Sequence, residues 1–225
     1  MDSRLYLITA ARADLEEFLE AAIRGGVDIV QIRDKQLPDG ALLETLATAR
    51  AVTARHGVPL VVNDRPDLAL LAGANYVHLG QDDLPVPAAR RLCAAVGLST
   101  HAPAEIDRAD ADYLGVGPVF ATPTKPGRSA VGLDLVRYAA KHARQPWYAI
   151  GGIDVHNAAS VVAAGAERLA VVRAIGEAAD PERAARALRG LLSLDATVLH
   201  VPASKRASDQ TLQPFVSPPL PRQVY

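Results

Sequence analysis

The stretch PLVVNDRPDL, residues 59–68, enters a hydrophobic core and then turns polar within one residue. Residues 60–62 are Leu-Val-Val, a short β-branched run that is typical of a buried strand. Residues 63–65 are Asn-Asp-Arg, so an amide, a carboxylate and a guanidinium follow the strand directly. What this pattern means depends on how often the chain repeats it.

Eight short apolar runs of this kind recur in the first 175 residues, and Ala-, Leu- and Arg-rich helical stretches separate them. The runs are LYLIT (5–9), VDIVQI (27–32), PLVVN (59–63), YVHLG (76–80), VGLST (96–100), YLGVG (113–117), WYAIG (147–151) and RLAVV (168–172). Most are too uniformly apolar to have a face in solvent. Strands that are buried on both faces and alternate with helices predict a parallel sheet.

The number of strand–helix units predicts how the sheet is closed. Eight units close a (β/α)8 barrel, so we predict an α/β fold of the TIM-barrel type in a single domain. The roughly 195 residues involved are compact for this fold. An open doubly wound sheet is the alternative, but it would normally have fewer strands and a glycine-rich first turn. The corresponding turn here, ITAARAD (8–14), contains no glycine.

The joints between helices and strands support the same prediction. IRGGVDIVQI (23–32), LLAGANYVHL (70–79) and VAAGAERLAVV (162–172) share one design: a helical end, a glycine, a short spacer and a strand. Glycine after a helix takes the left-handed conformation that ends it, and the chain can then return to the sheet. Asp180 and Pro181 open the last helix with a cap and a first-turn proline.

Composition and charge restrict the class of protein. The chain has 225 residues, of which 49% are hydrophobic and 22% charged, and its formal net charge is −1. It has no long basic run that would indicate nucleic-acid binding, no basic start followed by an apolar region that would indicate a secretory signal, and no apolar run near the roughly 20 residues that span a bilayer. Cys93 is the single cysteine, so no disulfide within the chain and no thiolate metal site can form. We therefore expect a cytoplasmic protein that binds neither nucleic acid nor membrane.

The composition changes after Leu194. Residues 195–225 contain five prolines among Ser, Gln and Thr, with no lasting period. We predict a barrel domain over residues 1–194 and a Pro/Ser-rich tail, disordered or loosely packed, over residues 195–225. The sequence does not reveal the role of the tail, and it leaves the oligomeric state open, a homo-oligomer included.

Two aspartates follow neighbouring strands. In barrel enzymes the site lies at the carboxyl ends of the strands, because these ends converge on one mouth. Asp64 follows the third strand and Asp83 the fourth, so their carboxylates could lie close together. Oxygen ligands without thiolates or paired histidines favour Mg²⁺, which leaves its other positions to water and substrate phosphate. The alternative is that each aspartate caps the next helix, since Pro66 and Pro85 both suit a first helical turn.

Cations follow the second strand. Gln31, Arg33 and Lys35 alternate along the chain and would point to one side if the chain stayed extended. Arginine offers a planar fork of donors and lysine a point charge, which together suit an oligophosphate. The alternative is a solvated loop whose cations form salt bridges with Asp34 and Asp39.

Two later segments could bind anions. Residues 115–132, GVGPVFATPTKPGRSAVG, form a long loop in which Thr122, Thr124 and Lys125 could bind anionic oxygens. The paired glycines at residues 151–152 end the seventh strand, and barrel enzymes often bind phosphate after strands seven and eight. The alternatives are a mere connector for the loop and a mere turn for the glycines.

The histidines indicate no catalytic triad. His78 lies within a strand, and we interpret it as a hydrogen-bonded structural residue, whereas His101 is near the mouth. No Ser-His-Asp or Cys-His arrangement stands out. Taken together, the strand ends predict one cleft with a carboxylate pair, inward cations and a second anion site. This composition fits Mg²⁺-assisted departure of a diphosphate with another phosphorylated molecule held nearby.

The chain resembles the thiamine phosphate synthase family from Leu5 to Leu192. The motifs that carry the resemblance, in family order and at family-like spacing, are QIRDK (31–35), VNDR (62–65), HLGQDD (78–83), LSTH (98–101), GVGPVFATPTKP (115–126), AIGGI (149–153) and VVRAI (171–175). Such a set is far more specific than any single motif. The resemblance implies a (β/α)8 barrel that joins hydroxymethylpyrimidine diphosphate to hydroxyethylthiazole phosphate, releasing diphosphate and forming thiamine phosphate with Mg²⁺.

The resemblance also implies roles for individual residues. Those that would contact the pyrimidine diphosphate are Gln31, Arg33, Lys35, Asn63, Ser99 and Lys125, of which Arg33, Lys35, Ser99 and Lys125 form the catalytic set. Those that would line the thiazole phosphate pocket are Thr122, Pro123, Thr124, Gly152, Val172 and Arg173. Asp64 and Asp83 would hold Mg²⁺. Many family members have serine in place of Arg173, so this chain keeps the backbone N–H there and lacks the hydroxyl.

The implied mechanism needs no protein nucleophile. Mg²⁺ and the cations Arg33, Lys35 and Lys125 would stabilise the charge on the departing diphosphate, and the thiazole nitrogen would attack the pyrimidine cation. A thiazole tautomerase-like barrel is one alternative, but it would not need two metal-binding aspartates. A non-catalytic phosphate-binding barrel, which kept the fold and lost turnover, is the other.

Overall fold

The computed structural model of the protein describes residues 2–93, 95–122 and 129–193. The strands are β1 Leu5–Thr9, β2 Ile29–Ile32, β3 Leu60–Asn63, β4 Tyr76–Leu79, β5 Val96–Thr100, β6 Tyr113–Val116, β7 Trp147–Ile150 and β8 Leu169–Val171. The helices are α1 Leu15–Arg24, α2 Asp39–Arg55, α3 Pro66–Leu71, α4 Val86–Ala89, α5 Pro103–Arg108, α6 Gly132–His142, α7 Ala158–Ala163, α8 Arg173–Gly176 and α9 Pro181–Ser193. None of the helices in these ranges has the length and apolarity to cross a membrane. The predicted tail, residues 195–225, lies outside the described residues.

The strands form a closed parallel barrel in the order β1 to β8. Closure comes from the pairing of β1 with β8, in which Leu5 is opposite Leu169 and Leu7 is opposite Val171. The predicted TIM barrel is therefore confirmed, and an open doubly wound sheet is wrong. Each predicted apolar run contains one strand, and the observed bounds differ from the predicted ones by no more than two residues.

The predicted joints are also present. Gly26, Gly73 and Gly165 have φ values of 110°, 61° and 107°, and each lies between a helix and the next strand. This left-handed backbone is accessible to glycine at little cost, so each helix ends where the sequence indicates. At α9 the predicted cap forms, because the backbone N–H of Arg183 donates to Oδ1 of Asp180 at 2.9 Å.

Alternation along the strands divides the core into two layers. Leu5 and Leu7 point outward into the layer between barrel and helices, whereas Tyr6 and Ile8 point into the barrel. The interior also contains Tyr113 and Tyr148, with the ring centroid of Tyr6 at 6.0 Å from Tyr113 and 5.1 Å from Tyr148. These rings meet edge to face, which suits their quadrupoles.

Two inward-facing glycines lie against this interior, and one of them is essential to its packing. A Cβ at Gly97 of β5 would lie 2.1 Å from Cζ of Tyr113, far inside the contact limit. A Cβ at Gly115 of β6 would lie 3.4 Å from Cε1 of His78. The tyrosine therefore fits inside the barrel because Gly97 carries no side chain, whereas a Cβ at residue 115 would make an ordinary contact with His78.

We expect Gly97→Ala to destabilise the protein. The added methyl group overlaps the ring of Tyr113, and overpacking of a core typically costs about 1–3 kcal/mol. At this chain length each kcal/mol lowers the Tm by about 2–4 °C. Thermal unfolding followed by circular dichroism measures the change.

The matched control is Gly190→Ala on α9, where a Cβ would meet no atom within 4 Å. This substitution should stabilise the protein by about 0.5–1 kcal/mol, because alanine is the better helix former. Equal Tm values for the two variants would contradict the proposed crowding at Gly97.

Candidate active site

The predicted site residues that the structure describes lie at the carboxyl ends of the strands. A cavity of about 280 Å³ opens there between the ends of β5 and β8. Its lining includes the predicted residues Ser99, Thr122, Gly152, Val172 and Arg173. Pro123, Thr124 and Lys125, predicted for the same region, lie outside the described residues. The cavity thus joins a residue assigned to the pyrimidine side with four assigned to the thiazole side.

Gly152 shapes one wall of this cavity. Its φ is +63°, and a Cβ would lie 2.8 Å from both Cβ of Phe120 and the carbonyl oxygen of Ala121. The neighbouring Gly151 accepts a hydrogen bond from the backbone N–H of Phe120 at 3.0 Å. The loop after β7 therefore packs directly on the loop after β6, with no space for a side chain between them.

A cluster of charged groups lies at the ends of β2, β3 and β4. Nζ of Lys35 is 2.9 Å from Oδ2 of Asp64, and a hydrogen bond links the carboxyl groups of Asp64 and Asp83. Oδ2 of Asp83 also accepts the backbone N–H of Gly80 at 2.6 Å. The two aspartates thus meet, as the strand order predicts, and one cation of the QIRDK segment joins them.

The two carboxyl groups differ in their ionisation. Burial raises the pKa of Asp64, but the hydrogen bonds from Lys35 and Asp83 and the charge of Arg33 together hold this pKa below its usual value. Burial raises the pKa of Asp83, and the negative charge of Asp64 adds to this effect, which the N–H of Gly80 only partly offsets. Asp64 therefore ionises more readily than a free aspartate and Asp83 less readily, and a cation bound beside both would favour the ionised form of each.

The donor set restricts which cation fits. Among residues 2–93, 95–122 and 129–193, no group of three or more His, Cys, Asp or Glu residues is placed to hold a metal ion. Two carboxylates that follow adjacent strands remain, both of them partly exposed to solvent. This set fits Mg²⁺, which commonly takes one or two carboxylates and completes its shell with water and phosphate oxygens.

The backbone at Asp64 explains how its carboxylate reaches the mouth. Asp64 has φ +62°, which makes it the one residue other than glycine with a left-handed backbone in the described ranges. Its N–H donates to the carbonyl of His78 at 2.8 Å, and the N–H of Arg65 donates to the carbonyl of Asn63 at 2.8 Å. Aspartate is among the residues that tolerate this conformation. The alternative of helix capping is wrong for Asp64, because α3 begins after Arg65 and has no side-chain cap.

The same correction applies to Asp83. Helix α4 begins after Pro85 and likewise has no side-chain cap, while the carboxylate of Asp83 turns back to Gly80. The sequence also allowed a solvated loop in which the cations pair with Asp34 and Asp39. This alternative is not observed for Lys35, which pairs with Asp64.

Arg65 has a different role from the one its position suggests. Its guanidinium lies 2.6 Å from Oδ1 of Asp39 and 2.6 Å from Oδ2 of Asp67. It therefore fastens the start of α2 to the start of α3 on the outer side of the mouth. Such exposed pairs each contribute about 0–1 kcal/mol, so the contact orients the loops more than it stabilises the fold.

Sequence reasoning missed the surroundings of Ser99. Nε2 of His78 lies 2.9 Å from Oγ of Ser99, and the amide of Gln81 donates to the carbonyl of Ser99 at 2.7 Å. The interpretation of His78 as a hydrogen-bonded residue is confirmed, but the partner was not identified. The signal was present in the alternation of the strands, because His78 on β4 and Ser99 on β5 both occupy inward positions.

Comparison with known proteins agrees with this geometry. The sequence model of the thiamine monophosphate synthase family matches residues 5–175. The thiamine-phosphate synthase of an Arthrobacter species is 50% identical over 87% of this chain and 95% of the relative. That of Thermus thermophilus is 53% identical over 84% of this chain and 97% of the relative. The solved structure of thiamine phosphate pyrophosphorylase from Pyrococcus furiosus superposes with a TM-score of 0.75 at 32% identity, covering 84% of this chain and 95% of that one.

We expect Asp64→Ala to be less stable than Asp64→Asn. Both variants lose the charge, but the left-handed backbone should lower the free energy of unfolding of the alanine variant by about 1–2 kcal/mol, whereas asparagine tolerates this backbone. Urea unfolding of the two variants measures the difference directly.

The exposed neighbour Asp82 supplies the control, since its φ is not positive. Asp82→Ala and Asp82→Asn should differ by no more than about 0.5 kcal/mol, the usual range for surface substitutions. If the Asp64 pair differs no more than the Asp82 pair, the backbone at residue 64 is not constrained as described.

Proposed function

The chain belongs to the thiamine monophosphate synthase family, and we propose that it joins hydroxymethylpyrimidine diphosphate to hydroxyethylthiazole phosphate, forming thiamine phosphate and releasing diphosphate. The observation that carries the proposal is the meeting of Asp64 and Asp83 beside Lys35 at the barrel mouth. A barrel that bound only a monophosphate would have no use for two acids and a cation in this arrangement. The partners that we propose are therefore two phosphorylated small molecules.

The mouth offers separate places for these two substrates. The charged cluster of Lys35, Asp64 and Asp83 lies at β2 to β4, whereas the cavity with Gly152 and Arg173 lies at β5 to β8. We assign the diphosphate to the cluster and the thiazole phosphate to the cavity. Ser99 lines the cavity, and its strand β5 is the neighbour of β4 in the barrel. Ser99 therefore lies between the two proposed substrate sites, where the new bond would form.

We propose Mg²⁺ as the cofactor, with Asp64 and Asp83 as its protein ligands. The support is the all-oxygen donor set and the closeness of the two carboxyl groups, each of which affects the pKa of the other. Bound there, Mg²⁺ would neutralise charge on the diphosphate oxygens and so favour their departure.

The residues of the chain would act mainly through charge and position. Lys35 and Arg33 would stabilise the diphosphate as it gains negative charge, an interaction that strengthens in the transition state. Gln31 is fixed inside the barrel by a hydrogen bond to Tyr6 and would orient the pyrimidine ring. The thiazole nitrogen supplies the attacking electron pair, so no side chain has to form a covalent intermediate. We keep Lys125 as a further cation of this set.

Two other functions make different demands on the site. A thiazole tautomerase-like barrel would leave the carboxylate pair without a purpose. A non-catalytic phosphate-binding barrel would bind both substrates at ample Mg²⁺ and release no diphosphate. A coupled assay for diphosphate release, with both substrates and with or without EDTA, distinguishes these from the proposed synthase.

We expect Asp83→Ala and Asp64→Asn to lower kcat by about 100-fold or more, as the loss of charge stabilisation in a transition state does elsewhere. Asn is chosen at residue 64 because it tolerates the left-handed backbone. The coupled diphosphate assay at saturating substrate gives kcat for each variant.

Asp82→Ala is the control, because it removes an exposed acid from the same loop and should leave kcat unchanged. Near-normal turnover of the Asp64 or Asp83 variant in the presence of Mg²⁺ would remove the metal assignment. Full activity in excess EDTA would do the same.

A separate prediction concerns the thiazole side. Gly152→Ala should raise the KM for the thiazole phosphate by about 10-fold or more, since a misplacement of even an ångström can cost about 100-fold, while the KM for the pyrimidine diphosphate changes little. The reason is that a Cβ there would displace the loop carrying Phe120 and Ala121. Initial-rate kinetics with each substrate varied in turn separate the two KM values.

Gly73→Ala is the matched control, with φ +61° against +63° at Gly152 and no atom within 4 Å of the added Cβ. It carries the same backbone strain away from the mouth and should leave both KM values unchanged. Equal effects of Gly152→Ala on the two substrates would refute the division of the mouth.

A further inference from the structure

A continuous chain of hydrogen bonds crosses the interior of the barrel. Nε2 of Gln31 donates to Oη of Tyr6 at 2.5 Å, and the hydroxyls of Tyr6 and Tyr113 are 2.9 Å apart. Oη of Tyr113 lies 3.1 Å from Nδ1 of His78, whose Nε2 lies 2.9 Å from Oγ of Ser99. The chain begins at Gln31 and ends at Ser99, the two of its residues that we assign to the pyrimidine substrate, and Tyr6, Tyr113 and His78 join them.

Because the members of this chain are buried, their polar groups have to find hydrogen-bond partners inside the barrel. The exposed fraction is 2% for Tyr6 and 0% for Tyr113, with Gln31 at 1%. Burial raises the pKa of both tyrosines far above the usual value, so each keeps one hydroxyl hydrogen to donate. A buried hydrogen-bonding group left without a partner costs about 1–3 kcal/mol, so each of these hydrogens requires an acceptor.

The direction of the chain follows from counting hydrogens. The amide nitrogen of Gln31 donates only, so Tyr6 accepts from it. In the part of the chain that the structure describes, the remaining partner of the Tyr6 hydroxyl is Oη of Tyr113, so Tyr6 donates there. Tyr113 then has its own hydrogen for Nδ1 of His78. Because Nδ1 accepts, the ring proton of neutral His78 is on Nε2.

We propose that Tyr113 is a positioning residue that sets the tautomer of His78 and thereby makes Ser99 a hydrogen-bond donor to the substrate. With its proton on Nε2, His78 donates to Oγ of Ser99. The hydroxyl hydrogen of Ser99 is then directed away from His78, and Ser99 lies at the β5 edge of the cavity, next to the strand β4 that precedes Asp83. What Ser99 donates to, an oxygen of the departing diphosphate, rests on the proposed function.

This polarity distinguishes the pair from a nucleophilic serine. A general base must accept the hydroxyl hydrogen of serine, whereas Nε2 of His78 already carries a proton and donates one. The distance between Nε2 of His78 and Oγ of Ser99 is that of an activated serine, but the direction of the hydrogen bond is the reverse. Its hydroxyl supplies a donor where negative charge develops, which is the use that the proposed reaction has for it.

Tyr113 lies at the centre of this chain of hydrogen bonds, and the surrounding interior leaves space for its hydroxyl. A Cβ at Gly97 would lie 2.4 Å from Oη of Tyr113, so only a residue without a side chain leaves the hydroxyl in place. Tyr148 lies in the same aromatic cluster, 5.7 Å from Tyr113 between centroids, but its hydroxyl donates to the carbonyl of Ser3 at 3.0 Å. The two tyrosines thus share their packing and differ in what their hydroxyls bind.

Histidine ¹⁵N NMR at a pH where His78 is neutral tests the tautomer directly, with His78→Gln to assign the signals. We expect the proton on Nε2 and an unprotonated, hydrogen-bonded Nδ1 in the substrate-free protein. Tyr113→Phe should shift the Nδ1 signal, and Tyr148→Phe should leave it unchanged. A proton on Nδ1 in the parent protein, or the same shift in both variants, would overturn the proposal.

Kinetics test the consequence for the substrate. Tyr113→Phe should lower kcat by about 10-fold, less than the roughly 100-fold that loss of a donor itself costs because the Ser99 hydroxyl is still present, with little change in the KM for the thiazole phosphate. Tyr148→Phe should have near-parental kinetics. In a Ser99→Ala background Tyr113→Phe should cost nothing further, since both changes remove one interaction. Additive losses would overturn the proposal, as would equal losses in the two tyrosine variants.

Tyr6→Phe, one step earlier in the chain, provides a second variant should Tyr113→Phe fold poorly. It should give the same change at Nδ1 in weaker form, and an unchanged Nδ1 signal would overturn the direction assigned to the chain. The NMR measurement needs no substrate. An inactive protein with the expected tautomer would therefore count against the proposed function alone, and an active protein with the other tautomer against this inference alone.

Discussion

The closure of the barrel is the constraint on which the rest of the structure depends. Because β8 pairs with β1, eight parallel strands end on one rim, and the segments that follow the strands all begin at the same mouth. Residues far apart in the chain, such as Lys35, Asp64 and Asp83, become neighbours for this reason. The helices need only cover the outer layer, which explains why the segments between the strands are rich in alanine and leucine.

The same closure creates an interior that has to be filled. Side chains from alternate positions of each strand enter it, and tyrosines fill the part below the mouth. Each buried tyrosine hydroxyl needs a hydrogen-bond partner. An interior that is filled with tyrosines therefore also contains a network of hydrogen bonds. The packing of the interior and the orientation of Gln31 and Ser99 therefore depend on each other, and Gly97 provides the space that Tyr113 needs.

The strands, their order and the meeting of Asp64 with Asp83 could all be predicted, because they follow from local apolar runs and from the geometry of a closed parallel barrel. The partners of Ser99 could not, since they depend on which inward side chains of β4, β5 and β6 share a level. The position of Arg65 was also beyond prediction. Its sequence neighbours suggest the mouth, but Asp39 and Asp67 attract it to the outside. The left-handed turn at Asp64 has no sequence signal, because aspartate is equally common in ordinary turns.

That turn makes residue 64 selective between the two acidic amino acids. Glutamate has the same charge and the same carboxylate oxygens for a hard cation, but it lacks the short side chain that lets aspartate adopt a positive φ. At Asp83, where the backbone is ordinary, an extra methylene would change only the reach of the carboxylate. Related barrels should therefore exchange aspartate for glutamate more freely at the second acid than at the first, although we propose the same role for both.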